Sequence, residues 1–542
     1  MRRLDPITVE VIGSALSTIV EQMGKAIIRA AYSANIKERR DCSAAVFDTA
    51  GRVVAQAEQI PFHLGSLLGI TEETLKRVDV STVAEGDVFI GNDAHTGGGT
   101  HLNDIVFLEP VFVDGAIVAW VANLAHHSDF VDRGHAHIFQ EGLRIPPVRL
   151  YRAGVLQQDV MDVVLLNCQV PHERVNDFRA QMAANRLGVQ RVQALCARYG
   201  VAVVQTASAM LMDYGERKAR AGIAAIPDGR YEFRHAFDTS LWPELLDLVV
   251  AVEVKGEEIT FDFTGCPPQN RTGMNMVFTA LQAIVYYLVK TLIDLDTPAN
   301  AGVHRAVRIV APPGSVVNAL PPAAVYSRHE VAQRLADMML AALAQAIPDR
   351  VIAASTGITV MTTSGTHPHT GRFYVYNESM GGGMGARASQ DGLDGVHMHL
   401  TNSANIPVEA LESEHSLMVE AYELVQDSGG PGRFRGGMAI RRKVSAVDHQ
   451  ATVNLGGPNN IVPPWGLDGG MPGGLARIEL AEGVTLERRN GVIGPGQWGA
   501  SVTAGGGGYG DPKQRDRDLV RRDLREGRIS PRAASEIYGL EE

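Results

Sequence analysis

The chain has 542 residues, 45% apolar and 20% charged, a balance that excludes global disorder and leaves room for several folding units. Lys and Arg number 50 against 61 Asp and Glu, for a net charge of −11, which opposes a polyanionic partner and excludes nucleic acid as the expected ligand. Four cysteines with no CxxC pair exclude a disulfide framework and a thiolate zinc site, and fit a reducing compartment.

Asp5 and Pro6 supply an N-cap and a first-turn proline, after which Ile12, Leu16, Ile19, Val20, Met23 and Ile27 recur at helical spacing. A long amphipathic helix is expected to open the fold. No apolar run approaches the roughly 18 unbroken residues of a membrane span, and polar residues interrupt any leader-like core, so the expectation is a cytoplasmic protein with no membrane segment. Residues 42–48 and 53–57 read as a hairpin around Asp48-Thr49-Ala50-Gly51. Residues 87–90, 105–113 and 116–124 read as strands, the last two joined by Asp114-Gly115, a two-residue hairpin signal. Helical spacing covers 170–225, 275–295 and 330–346, whereas 230–265 and 303–318 alternate or run apolar as strands do.

From about 430 onward, short apolar runs separated by Gly-Gly, Pro-Gly and Asn-Gly pairs predict a β-rich lobe, and 513–542 predict one or two short docked helices. The expected fold class is therefore α+β, in three regions: 1–230 with an N-terminal helix, a mixed sheet and the metal-site motifs, 231–430 as a mixed α/β middle with a glycine-rich loop, and 431–542 as the β-rich lobe with its helical tail.

Histidine is concentrated in one stretch: His95, His101, His126, His127, His135 and His137, interleaved with Asp93, Asp104, Asp129 and Asp132. His101 and Asp104, three apart in a loop entering a strand, can face one cavity, and the next strand can return His126 or His127 to the same place. Imidazole and carboxylate together suit Zn²⁺, Mn²⁺ or Fe²⁺ with an open position for water or substrate. His126 and His127 cannot both face that place from a strand, because the side-chain period is two.

Glycine runs at 97–99, 381–385 and 505–508 allow either anion-binding nests or turns at positive φ, the latter being the expected use. No GxxxxGK[ST] and no GxGxxG between a strand and a helix is visible, so any nucleotide is expected on another polypeptide. No GxSxG elbow supports Ser-His-Asp catalysis. In 391–412, His397, His399 and Asn402 are candidate substrate contacts or braces of the neighbouring glycine loop, and a strand here would put both histidines on one face. Arg441, Arg442 and Lys443 read as a solvated basic run.

The ordered set ERRDCSAAVFD (38–48), IPFHLGS (60–66), GNDAHTGGGTHLNDI (91–105), the His126-His127 pair, ESMGGGMGAR (378–387), DGVHMHLTNSANIPVEALE (394–412) and GGGGYGDP (505–512) resembles the hydantoinase B/oxoprolinase family. The resemblance implies a hetero-oligomer in which a hydantoinase A-type subunit takes up ATP and Mg²⁺ and phosphorylates a cyclic-amide oxygen, while the B-type subunit completes ring hydrolysis. It further implies Asp41, His101, Asp104 and His126 as ligands of a divalent metal, with His127 or His63 as proton-shuttling or orienting groups. A subunit of an ATP-dependent ketone carboxylase and a non-catalytic scaffold for the ATP-binding chain are the alternatives.

Overall fold

The computed structural model describes residues 4–57, 59–127, 136–294, 296–487 and 489–541. The fold is α+β and the chain divides into two compact units, one of residues 1–229, 253–262 and 268–328, the other of 230–252, 263–267 and 329–542.

In the first unit, helix α1 (Pro6–Ala30) starts as its sequence predicts, with the Asp5 carboxylate accepting the Thr8 N–H and Pro6 in the first turn. A short helix α2 (Ala34–Lys37) leads to the hairpin β1 (Cys42–Phe47) and β2 (Val53–Gln56), then to α3 (His63–Arg77) and β3 (Val88–Gly91). Strands β4 (Asp104–Val113) and β5 (Ala116–His126) meet at Asp114 and Gly115, both at positive φ (51° and 78°), the backbone that a two-residue hairpin requires. After β6 (Val148–Arg152), β7 (Val155–Leu156) and α4 (Gln158–Leu166) come two long helices, α5 (Pro171–Tyr199) and α6 (Val201–Ala224).

The seven strands form one sheet in the order β2-β1-β5-β4-β3-β6-β7. Its two faces follow the period of two. Cys42, Ala44 and Val46 of β1, with Val121 and Ala125 of β5, pack with α1 and α5 residues such as Ile12, Leu16, Val20 and Ala184. Ala45 and Phe47, with Trp120, Ala122 and Leu124, pack instead with Leu67 and Ile70 of α3. Helix α1 is long and apolar enough to cross a membrane by length and composition, but its Ile12, Val20, Met23 and Ile27 are fully buried in this core.

The chain continues through β8 (Gly229–Phe237) and β9 (Leu246–Lys255), then adds to the first unit the parallel pair β10 (Glu258–Asp262) and β11 (Val307–Val310), with α7 (Phe278–Leu292) and α8 (Ala301–His304).

The second unit is built around α9 (His329–Leu343), whose residues from Glu330 to Leu343 are all buried. Strands β12 (Thr359–Thr366) and β13 (Phe373–Met380), helix α10 (Val408–His415), and strands β14 (Leu417–Leu424), β15 (Ile440–Ala446), β16 (Ala451–Asn454), β17 (Arg477–Leu480), β18 (Asn490–Ile493) and β19 (Trp498–Val502) follow. They form two four-stranded sheets, β13-β12-β16-β18 and β14-β15-β19-β17. The tail is helical as expected, with α11 (Arg517–Arg525) and α12 (Pro531–Glu536) closing over Val520, Ile529 and Tyr538.

Three local expectations are corrected. Arg442 is fully buried and paired with Glu378 at 3.0 Å, because the alternation of β15 sends it inward between the outward Arg441 and Lys443, which pair with Glu423 and Glu420. Residues 391–407 form no strand. They are irregular, with one bridge between Gly382 and Val396, and His399 sits at φ 47°. Finally, no residue of 381–385 or 505–508 is at positive φ. These glycines serve close approach instead. A Cβ on Gly383 would lie 2.1 Å from the Gly437 carbonyl oxygen and 2.2 Å from the Gly506 nitrogen, and one on Gly506 would lie 2.1 Å from the Met384 oxygen. The same segments hydrogen-bond across each crossing, Gly506 N–H to Gly437 O at 2.9 Å and Gly437 N–H to Met384 O at 2.8 Å.

Candidate metal centre

The site arises from strand register. In the β4–β5 ladder Asp104 lies directly opposite His126, and in the β1–β5 ladder Cys42 lies opposite Ala125, so Asp41 comes to the other side of His126. The His126 N–H donates to the Asp41 carbonyl at 3.0 Å, continuing the ladder by one step. Counting by twos from Leu124 and from Ala45 places His126 and Asp41 on the α3 face, where opposed side chains sit side by side. His63, the first residue of α3, lies over this row. Its Nε2 is 3.3 Å from Asp41 Oδ1 and 3.8 Å from Asp104 Oδ1, and its Nδ1 is 2.9 Å from Ser43 Oγ. His101, in the turn that leads into β4, brings its Nε2 to 3.0 Å from Asp104 Oδ1, and its ring centroid lies 5.1 Å from that of His126.

Among the described residues, His101, Asp104 and His126 each offer one ligand atom within 4.8 Å of the others. Asp41 flanks this group, with Oδ2 at 4.0 Å from His126 Nδ1. Neither nitrogen of His101 nor Oδ1 of Asp104 has a hydrogen-bond partner, although all three atoms are buried. Buried polar atoms are seldom left so. Two imidazoles and a carboxylate with converging atoms, those of His101 and Asp104 Oδ1 without a hydrogen-bond partner, form a donor set that suits a divalent cation of the Zn²⁺, Mn²⁺ or Fe²⁺ type.

Electrostatics prepares the same state. Burial, with the nearby Arg328 charge, pushes the His101 ring down to about 3, and burial pushes His126 down to about 4. Burial alone would raise the Asp104 carboxyl, but the His101 and His63 rings and Arg328 outweigh it and hold it well below the usual carboxylate range. Asp41 is likewise lowered against its burial, by His126, His63 and Arg39. Neutral imidazole and ionised carboxylate are the forms that ligate a metal.

His127 does not join the group. One residue beyond His126, it points to the opposite face, where its Nε2 is 3.1 Å from Gln181 Oε1, its Nδ1 meets Arg174 and its ring packs edge-on against Phe178 at 5.3 Å. His95 is tied to the Ala323 carbonyl at 2.8 Å. His135, Asp129 and Asp132 lie outside the described residues.

In the second unit, His399 Nε2 contacts Asp337 Oδ1 at 2.9 Å, and His397 Nδ1 lies 3.2 Å from the Thr401 hydroxyl. Asn402 is exposed in the same irregular segment.

Two members of the site escaped sequence reasoning. Arg328 donates from Nη2 to Asp104 Oδ2 at 3.1 Å and stacks over Phe62 at 4.4 Å. Asn35, on α2, places its side-chain amide 3.2 Å from His126 Nδ1. Neither belongs to a short motif containing the histidines, so no local signal marked them.

A family model described as hydantoinase B/oxoprolinase matches residues 5–512, and the chain belongs to that family. It is 32% identical to the B-type subunit of a putative D-/L-hydantoinase from Pseudomonas sp. (strain NS671), over 100% of this chain and 96% of that one. The crystal structure of the ATP-dependent caprolactamase from Pseudomonas jessenii is similar with a TM-score of 0.89 at 29% identity, covering 100% of this chain and 97% of that one. The nucleotide-free structure of acetone carboxylase shares the fold, with a TM-score of 0.89 at 18% identity over 99% of this chain and 80% of that one.

Proposed function

We propose that this chain is the B-type subunit of an ATP-dependent cyclic-amide hydrolase, acting in the cytoplasm on a hydantoin, 5-oxoproline or other lactam that a hydantoinase A-type subunit has phosphorylated. The observation that carries this reading is the convergence of His101, Asp104 and His126, with unpartnered atoms on His101 and Asp104, in a chain similar over its full length to a hydantoinase B-type chain and to an ATP-dependent caprolactamase.

A ring amide resists water because resonance stabilises it. Phosphorylation of its oxygen removes that resonance, so that water adds at the ring carbon and the C–N bond breaks as the nitrogen takes a proton. A second water then releases the phosphate from the resulting acyl phosphate to leave the carboxylate. ATP and Mg²⁺ would act in the partner. Here His101, Asp104 and His126, with Asp41 beside His126, would hold Zn²⁺, Mn²⁺ or Fe²⁺. Such an ion supplies Lewis acidity, which lowers the pKa of a bound water from about 15.7 toward about 7. His63 would hold and move a proton at Nε2, since Ser43 fixes its Nδ1 and Asp41 orients its other edge.

The test is reconstitution with a hydantoinase A-type ATP-binding chain and a panel of lactams and hydantoins. Ring opening is expected to need both chains and ATP, and to be lost when His101→Ala and Asp104→Ala are combined. Full activity in that double variant removes the site from the chemistry. Incorporation of labelled bicarbonate without ring opening would assign the chain to a carboxylase instead.

A further inference from the structure

Asp104 divides its two oxygens. Oδ2 accepts from Arg328 Nη2 and the Thr100 hydroxyl, each at 3.1 Å, and lies 3.3 Å from the Ser66 hydroxyl, whose one proton is shared with Thr100 Oγ1 at 3.0 Å. Oδ1, by contrast, has no hydrogen-bond partner and faces His101 and His63. Arg328 reaches this place from 224 positions away, and its backbone is fixed there. Glu141 Oε1 accepts the Val325 and Tyr326 N–H groups at 2.5 and 3.0 Å, the Ser327 N–H donates to the Gly273 carbonyl at 2.7 Å, and the Arg328 N–H donates to the Val325 carbonyl at 3.1 Å. The Arg328 side chain is 4% exposed, so its charge acts in a weakly screened setting. Asp41 has a matching partner, with Arg39 Nη2 3.6 Å from its Oδ2 and that arginine 1% exposed.

Each carboxylate of the group is thus met by one buried guanidinium. With neutral imidazoles the formal charges of Asp41, Asp104, Arg39 and Arg328 sum to zero. A dication entering such a group keeps its charge largely uncompensated, which favours an anionic ligand in its open position.

We propose that Arg328 is a positioning residue that occupies Asp104 Oδ2 and offsets its charge, so that the group holds a divalent cation less tightly than its donors alone would, and presents that cation to an anionic substrate. This rests on the metal reading above and adds to it a role for a residue that is no ligand. The Ser66 and Thr100 hydroxyls keep Oδ2 satisfied when the guanidinium is removed, so orientation and charge are separable.

The experiment measures Zn²⁺ and Mn²⁺ affinity of the full chain by competition with a chromophoric chelator, with metal-free thermal melts beside it. Arg328→Gln is expected to tighten binding by about tenfold or more, and Thr100→Val to change it by less than about threefold. Arg328→Lys retains the charge and is expected to stay within about threefold of wild type. Arg328→Gln that folds but binds with unchanged or weaker affinity overturns the proposal. Should that variant fail to fold, tenfold tightening in Arg328→Lys, which keeps the charge, overturns it equally. Wild-type protein that binds neither ion sinks the metal reading itself, an outcome distinct from a wild type that binds while Arg328→Gln matches it.

Discussion

Two buried histidine–aspartate pairs, one in each unit, show opposite treatments of the same chemistry. In the second unit both oxygens of Asp337 are partnered: Oδ1 accepts from His399 Nε2 at 2.9 Å and from the Ser355 N–H at 3.1 Å, and Oδ2 accepts from Arg334 at 3.2 Å. In the first, Asp104 has one saturated oxygen and one bare one, and His101 has no hydrogen-bond partner at either nitrogen. A carboxylate whose two oxygens are both held by protein donors is a brace. One that leaves an oxygen bare, opposite bare imidazole nitrogens, has kept room for a ligand. His399, read from sequence as either substrate contact or brace of the neighbouring glycine loop, contacts Asp337 on α9.

The sharpest way to break this contrast is by activity. Asp104→Ala in the reconstituted complex should reduce turnover by more than the roughly 10–100-fold that loss of a supporting partner costs. Asp337→Ala should leave the specific activity of its folded fraction near wild type. Equal losses of specific activity in both would erase the distinction.

The ranking should invert for stability. Asp337→Ala strands Arg334 and His399 in a buried setting and should cost about 3–5 kcal/mol in denaturant unfolding, with bound metal per folded chain unchanged. A fall in metal content would show that the brace also supports the metal group.

Glu109 supplies a third arrangement, a carboxylate 6% exposed with Oε2 unpartnered, whose pKa burial pushes up to about 7. Its folded-state pKa lies above its unfolded value of roughly 4.3, so the folded chain binds this proton more tightly. Its contribution is therefore fully present below about pH 4 and is lost as pH rises through about 7. Glu109→Gln should remove up to about 3 kcal/mol of that slope between pH 5 and pH 8. Melting curves whose pH dependence matches wild type would mean the carboxyl is solvated.

The smallest effect is expected at the bare histidine. In metal-free protein His101→Gln should alter stability by less than about 1 kcal/mol, because neither ring nitrogen has a hydrogen-bond partner to lose, whereas His399→Gln should cost about 1–3 kcal/mol. A large loss at His101 would indicate that its close approach to Asp104 is itself a structural pair.

Much of the fold was legible where the signal is local. The Asp5-Pro6 start, the apolar stripe of α1 and the Asp114-Gly115 turn each depend on neighbours within a few residues, and each is found as read. The HxxD spacing and the histidine density singled out residues that the structure gathers at the ends of the central strands β5 and β4, and the period of two separated His126 from His127. Where the reading failed, a distant chain was responsible. Arg442 looked solvated because Glu378 lies 64 positions earlier, and the glycine runs at 381–385 and 505–508, unlike 97–99 with Gly98 at φ 81°, looked like positive-φ turns because the segments that cross them, such as 428–437 against 505–508, are remote in sequence.

The sequence alone determined the helix and hairpin signals, the residue types that can ligate a cation and the family resemblance, because these depend on side-chain chemistry and short-range periodicity. Only the tertiary structure decided that Asp41, His126 and Asp104 form one row across three strands, that residues 230–252 leave the first unit for the second, and that Arg328 reaches Asp104. Those outcomes depend on strand register and on loop closures spanning more than two hundred residues, and such closures leave no periodic trace in the chain that makes them.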